Sequence, residues 1–266
     1  MRANELKRKL ARDEVAVGLM LMSADPHIVG IAAGAGFDYV MADLEHTSLS
    51  LRELEGIVRA ADAHGIVPTT RVAGSSKQDI LSVLETGVRG IMVPTIESVE
   101  EARAVVQAAR YAPFGRRGVY YLGYGSGYAG ISPAEHFRTA NDELLIILQV
   151  ETGRGVQLAG EIASVPGVDS VLIGPGDLSQ SLGVPWEWEH PALSEAIGIT
   201  FHATRLHGKT AGIMPATADL AAAYVRDGAR LILWGPDLAL LRRAAHEDAT
   251  ELAEKLGWKH SPAPRS

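Results

Sequence analysis

The chain has no cysteine in its 266 residues. Disulfides, zinc–thiolate centres and thiol nucleophiles are therefore excluded, and a reducing, cytoplasmic setting is the expectation. Lysine is also scarce: Lys7, Lys9, Lys77, Lys209, Lys255 and Lys259 are the whole set. An imine-forming enzyme needs a lysine at the reacting carbon. Lys209 precedes its apolar run and the others are helical or terminal, which argues against Schiff-base chemistry. A serine hydrolase would show a GxSxG elbow between strand and helix, whereas Ser126 sits in GYGSGYAG with no such context. No apolar run approaches the roughly 18 residues of a membrane span. The charged N-terminus, MRANELKRKLARDE, reads as a short amphipathic helix and not as a secretory signal. Positive charge is in deficit, with a net charge of −7, so nucleic acid is not an expected partner.

What is present is alternation. Short apolar runs, 16–21, 39–43, 68–72, 90–95, 144–151, 170–177, 210–215 and 231–236, are separated by stretches with helical periodicity. Ser50 and Ser75 or Ser76 stand as N-caps, and Gly36 and Gly87 as stops. Eight such units in about 250 residues match a (β/α)₈ TIM barrel. The competing doubly wound sheet would usually carry a glycine-rich turn after its first strand, and the turn here is MSADP. The expectation is one barrel domain over 1–266, opened by a short helix and closed by a disordered tail from about 259. The rhythm breaks at 113–133, PFGRRGVYYLGYGSGYAGISP, a length of loop that tends to be functional or mobile.

Barrel enzymes work at the C-terminal ends of their strands, and that rule selects a short set. Strand two ends in Asp43, Glu45 and His46, strand three in Arg71, strand five in Gln149 and Glu151, and strand six in Asp177 after a GPG turn. The other strands end in mostly neutral residues, with Asp237 following the last. Glu151 and Asp177 come from neighbouring strands and can share a hard divalent cation, which takes oxygen ligands. They can equally cap helices or form salt bridges, and spacing alone leaves both open. His46, the side-chain type that exchanges protons near neutrality, is either an acid–base group or an exposed capping residue. Arg71 offers a planar fork for a carboxylate or an enolate oxygen, or an ion pair to Asp43 or Glu45, or both.

The segments AGAGFDYVMADLEH, TTRV, VLETGVRGIMVP, ARYAPFGRRGV, LQVETGRG, GVDSVLIGPGDLSQSLG and GIMP, in that order, resemble the metal-dependent class II pyruvate aldolases. These are the aldolases of 4-hydroxy-2-oxoheptanedioate and 2-dehydro-3-deoxyglucarate type, which serve aromatic and sugar-acid catabolism. The resemblance implies a lyase that reversibly cleaves a 4-hydroxy-2-oxo acid to pyruvate and an aldehyde. It implies a divalent ion (Mg²⁺, Mn²⁺ or Co²⁺) on Glu151 and Asp177. Gln149 and the backbone at Gly176 and Asp177 would hold the pyruvate portion, Arg71 the keto oxygen, and His46 would act as general base. Glu85 stands where the family has an aspartate that enhances that histidine, and DLEH replaces the family's DGEH. The resemblance further implies a homohexamer, a trimer of dimers with the C-terminal helix exchanged between subunits, so that a neighbouring subunit would supply Glu85. The alternatives are a lyase on the same scaffold using hydroxypyruvate or a thioester, or a metabolite-binding barrel without activity. The aldehyde half is expected to meet Met22 to Pro26, the 113–133 loop, and residues near Met214 and Trp234.

Overall fold

The computed structural model describes residues 3–258; the tail expected from about 259 lies outside the described residues. The order is α1 (Glu5–Ala11), β1 (Ala16–Leu21), α2 (Pro26–Gly34), β2 (Tyr39–Asp43), α3 (Leu51–His64), β3 (Val67–Arg71), α4 (Lys77–Glu85), β4 (Gly90–Val93), α5 (Val99–Ala109) and α6 (Pro133–Glu143). It continues through β5 (Leu145–Val150), α7 (Gly153–Gln157), α8 (Ala159–Ser164), β6 (Ser170–Ile173), α9 (Pro175–Ser181), α10 (Pro191–Leu206), β7 (Thr210–Ile213), α11 (Ala218–Arg226), β8 (Leu231–Trp234) and α12 (Asp237–Leu256). The eight strands are parallel and close in sequence order, with β8 against β1. The chain is a single-domain α/β barrel, as expected from its alternation. Two details differ from the expectation. The helix after β5 is two short helices broken at Leu158, and Asp177 lies in the first turn of α9, begun by Pro175, and not in a loop.

Neighbouring strand residues point to opposite faces, and in a closed barrel this parity divides the apolar residues into two cores. Met20, Tyr39, Met41, Met92, Ile147, Leu172 and Leu233 fill the barrel interior, and Leu6 and Leu10 of α1 pack on the same cluster and close its lower end. Leu21, Val40, Ile91, Leu148, Val171 and Ile232 face outward against the helices. Both faces of each strand are buried, which is why the strands read as continuous apolar runs and not as alternating ones.

The interior is tightest at Gly18. The Tyr39 ring lies over it, so a Cβ there would overlap the ring. The Tyr39 hydroxyl donates to the Ile232 carbonyl oxygen at 2.9 Å, tying β2 to β8 across β1. Complete burial pushes the Tyr39 phenol well above its ordinary pKa, so it remains a donor. Glycine at 18 thus makes room for the largest side chain inside the barrel. Gly18→Ala is expected to lower stability by about 1–3 kcal/mol through overpacking, read as an earlier denaturation midpoint in urea. An unchanged midpoint would mean that the ring shifts without cost.

The loop expected at the mouth docks at the opposite end. Tyr124 donates its hydroxyl to Asp62 near the end of α3 at 2.8 Å and lies beneath the Arg59 guanidinium at 5.5 Å. Gly125 approaches Gly87 below β4. Within one chain, these tyrosines therefore do not read a substrate at the strand ends. The Tyr124 ring packs between the ends of α3 and α4 instead.

Candidate active site

Asp43 and Arg71 are register partners on β2 and β3, both on inward parity, and the barrel brings them together as a bidentate pair. Arg71 Nε donates to Asp43 Oδ1 at 2.8 Å and Nη2 to Oδ2 at 2.7 Å. Arg71 Nη1 lies 3.1 Å from Glu45 Oε2, without the angle of a hydrogen bond, so that this oxygen remains otherwise unpartnered. Both alternatives for the pairing of Arg71 thus hold together. Burial pushes the Asp43 carboxyl up, but the Arg71 hydrogen bonds and charge and the Glu45 N–H outweigh it and leave the group below its ordinary range. Glu45 goes the other way. Its burial exceeds what Arg71 and His46 return, and its carboxyl is raised. His46 is exposed at the rim, with Nε2 3.7 Å from Glu45 Oε2.

The opposite wall is built by β4, β5 and β6. Gln149 and Glu151, two apart and buried, point inward together, and Gln149 Nε2 donates to Glu151 Oε2. The other carboxylate oxygen of Glu151 accepts twice from Thr95, from its N–H and from its hydroxyl, each at 2.8 Å. Thr95 has a φ of 53°, a left-handed conformation that costs a β-branched residue free energy and is retained only where the surroundings enforce it. Gly174 lies against both side chains; a Cβ would run into Glu151 Oε2 and Gln149 Nε2. Burial raises the Glu151 carboxyl, and the charges of Asp177 and Glu45 raise it further against the Thr95 bonds.

A cavity of about 220 Å³ opens between these walls, lined by Glu45, His46, Thr95, Glu151, Asp177 and neighbours. Wider hollows exist, one of about 790 Å³ beside α5 and α6 and one of about 760 Å³ with Glu187, Glu189, His190 and Asp219 on its wall, but neither is lined by Glu45, Thr95 or Glu151 at the strand ends. Among the described residues no three His, Asp or Glu side chains form a complete metal-ligand set. The donors nonetheless fit a hard divalent cation: two carboxylates, one of them raised by burial and then by like charge, and Gln149 Oε1, a buried oxygen with no hydrogen-bond partner. Mg²⁺-type ions commonly take one or two protein carboxylates and leave their other positions to water and substrate.

The barrel therefore brings together Asp43, Glu45, His46, Arg71, Gln149, Glu151 and Asp177, with Gly176 beside Asp177 in α9. It does not bring Glu85 to them. That carboxylate ends α4 and pairs with Arg117 at 3.1 Å, at the lower end of the barrel. Trp234 is also removed from the site, since it packs on the outer core, whereas Met214 packs on the inner one. One residue at the mouth escaped the sequence reading, and another, Asp237, carried no signal but its position. Thr95 bears no signal beyond its place after β4, because its role rests on its backbone conformation. Asp237 accepts from Met22 N at 2.9 Å and from Ser23 N and Oγ at 3.2 and 2.6 Å, fixing the connection after β1; its position after a strand end was the only sign.

Residues 16–244 match the model of the family described as HpcH/HpaI aldolase/citrate lyase. The chain is 37% identical over 267 residues to a hydroxypyruvate/pyruvate aldolase of Deinococcus radiodurans, covering 99% of this chain and 95% of that protein. It is 34% identical over 246 residues to a 2-keto-3-deoxy-L-rhamnonate aldolase of Klebsiella pneumoniae, covering 91% and 90%. Among solved structures, an HpcH/HpaI aldolase from Desulfitobacterium hafniense superposes with a TM-score of 0.89 at 32% identity, covering 98% of this chain and 99% of that one.

Asp43→Asn leaves Arg71 with the Glu45 carboxylate as its one charged neighbour within 4 Å among the described residues, and the expected loss is about 1.5–3 kcal/mol of stability at neutral pH. The pKa of Asp43 is depressed by folding. Its contribution is therefore complete above the unfolded value and is lost as pH falls below about 4 toward the folded value. Urea denaturation across that range should show the wild type losing this increment while the variant does not. Parallel curves for the two proteins would remove Asp43 as the source.

Proposed function

The chain belongs to the HpcH/HpaI aldolase/citrate lyase family, and from that membership we propose that it is a divalent-metal-dependent aldolase, reversibly cleaving a 4-hydroxy-2-oxo acid to pyruvate and an aldehyde. The observation that carries this reading is the oxygen set of buried Glu151, the unpartnered buried Gln149 Oε1 and the exposed Asp177 at the start of α9, facing a mouth that also holds Arg71 and His46. Glu151 and Asp177 would hold Mg²⁺, Mn²⁺ or Co²⁺, and a bound ion of this kind supplies Lewis-acid charge at the keto oxygen. Gln149 and the backbone N–H groups at Gly176 and Asp177 orient the carboxylate end of the 2-oxo acid.

Arg71 is held rigidly by Asp43 and Glu45. Of its five N–H hydrogens, those not committed to the two carboxylates remain for the keto oxygen, where negative charge develops as the C3–C4 bond breaks. A donor fixed before the reaction stabilises that charge without reorganising. His46 takes the 4-hydroxyl proton, directly or through water, and a proton returns to C3 to give the pyruvate methyl. Thr95 keeps Glu151 aimed inward. Hydroxypyruvate in place of pyruvate as the nucleophile is a second reading, favoured by the name of the Deinococcus relative.

A role for Glu85 at His46 requires a second copy of the chain, since its own carboxylate lies with Arg117. The homohexamer with exchanged C-terminal helices belongs with this proposal. In its support, α12 buries only Asp237 and leaves Leu241 and Leu256 largely exposed.

The expected result is exchange of pyruvate methyl protons in D₂O that depends on added Mn²⁺ and stops with chelator. Glu151→Gln and Asp177→Asn should each lower that rate on the order of 100-fold and weaken Mn²⁺ binding followed by electron paramagnetic resonance. Exchange that survives chelation would remove the metal, and no exchange at all would favour a binding barrel without activity. Glu85→Gln should depress turnover while Mn²⁺ and pyruvate affinities stay near wild type; unchanged turnover would exclude it.

A further inference from the structure

The connections that follow the strands form the rim of the mouth, and their charge is one-sided. They comprise residues 22–25, 44–50, 72–76, 94–98, 151–152, 174, 214–217 and 235–236, and none of these is lysine or arginine. Within the eight strands the one cation is Arg71. Its guanidinium is committed on two sides, bidentate to Asp43 and beside Glu45. Arg52, Lys77 and Arg154 stand in the first turns of α3, α4 and α7 with exposed side chains, and none lines the cavity. The acids are numerous by contrast. Asp25, Glu45, Glu97 and Glu151 lie in the connections, with Asp177 and Asp237 in the first turns of α9 and α12. The chain does not lack cations. Arg89, Arg110, Arg117, Lys209 and Arg230 lie in the connections at the opposite end of the barrel.

The oxygen set of Glu151, Asp177 and Gln149 occupies the β5–β6 side of the mouth. What remains for the other half of a substrate is the side made by β7, β8 and β1. The inward residues there are Met214, Leu233 and Met20. The one acid behind them, Asp237, is satisfied by Met22 and Ser23.

We propose that the aldehyde half of the substrate is uncharged, and that the rim excludes aldehydes carrying a second carboxylate. The inference rests on the aldolase reading above and names its substrate class. In the synthetic direction a methyl proton leaves pyruvate, C3 bonds to the aldehyde carbon and the aldehyde oxygen takes up a proton. The charge on the far end of the aldehyde is unchanged throughout. A carboxylate there would lose water beside apolar side chains and face a rim of like charge in which no described strand-end connection of the same chain supplies a cation, which builds discrimination in as repulsion.

The experiment compares butanal with succinic semialdehyde as acceptors for pyruvate in the metal-loaded enzyme. Each has four carbons, and they differ at the terminus remote from the carbonyl. The expected kcat/KM is higher for butanal by at least about tenfold at low salt, narrowing as ionic strength rises because rim charges are screened. Met214→Arg should shift the ratio toward succinic semialdehyde. Equal efficiencies for the two aldehydes in the wild type would overturn the inference and leave the aldol reaction standing. Absence of turnover with every aldehyde, together with absence of metal-dependent methyl exchange, would overturn the reading on which it rests.

Discussion

Closure of the barrel imposes strict alternation on every strand, and the site depends on that constraint. An inward position at the lower or middle level is apolar or, like Thr69 and Ser170, gives its hydroxyl to a backbone oxygen, because it is sealed among other strands and capped from below by Leu6 and Leu10. The same parity carried to the strand ends delivers Asp43 two residues after Met41, Arg71 after Thr69, Gln149 after Ile147 and Met214 after Gly212. A one-residue slip in any strand would send its polar end into the helix layer and bring a core residue to the mouth. The Asp43–Arg71 pair is the register-fixed outcome on β2 and β3. A bidentate pair at these depths joins two adjacent strands at the level where apolar packing ends.

That pair also organises the electrostatics of the mouth. Arg71 gives two of its nitrogens to Asp43, so Asp43 is held ionised while Glu45 and Glu151, also removed from water but less compensated, are raised. One buried cation is thus shared unequally among three carboxylates, with Asp177 adding to the imbalance at Glu151. The excess negative charge falls on the β5–β6 side, where Thr95 gives Glu151 neutral hydrogen bonds that orient it without cancelling its charge. Orientation without neutralisation is the arrangement a cation site requires, because a carboxylate already paired with arginine would be a weaker ligand.

Asp43, Arg71, Gln149 and Glu151 were legible in the sequence because each directly ends an apolar run, and a run buried on both faces announces its direction and its end. Asp177 was found for the right strand but in the wrong element: GPG resembles a turn, whereas Pro175 at the first helical position starts α9. Thr95 was not legible, since nothing in the letters marks a threonine as left-handed. The 113–133 loop shows a third kind of limit. Its glycines and tyrosines signal irregular structure and aromatic surface but carry no information about which end of the barrel receives it. That is decided by contacts with Asp62, Arg59 and Gly87, remote in sequence.

The barrel axis is therefore polar in two senses that reinforce each other. Chain direction places every strand C-terminus at one end, and charge is sorted the same way, with acids at the strand ends and the connecting arginines beneath. The lower arginines are used structurally: Arg110 donates to backbone oxygens of Asn141 and Gly167 and pairs with Asp169, and Arg230 caps the α11 end and meets Asp13. Such groups bind chain ends together and are unavailable for catalysis. The upper acids, less compensated by protein cations, remain available to an ion. A barrel sorted in this way holds its tertiary structure with arginine at one end and leaves its carboxylates for chemistry at the other.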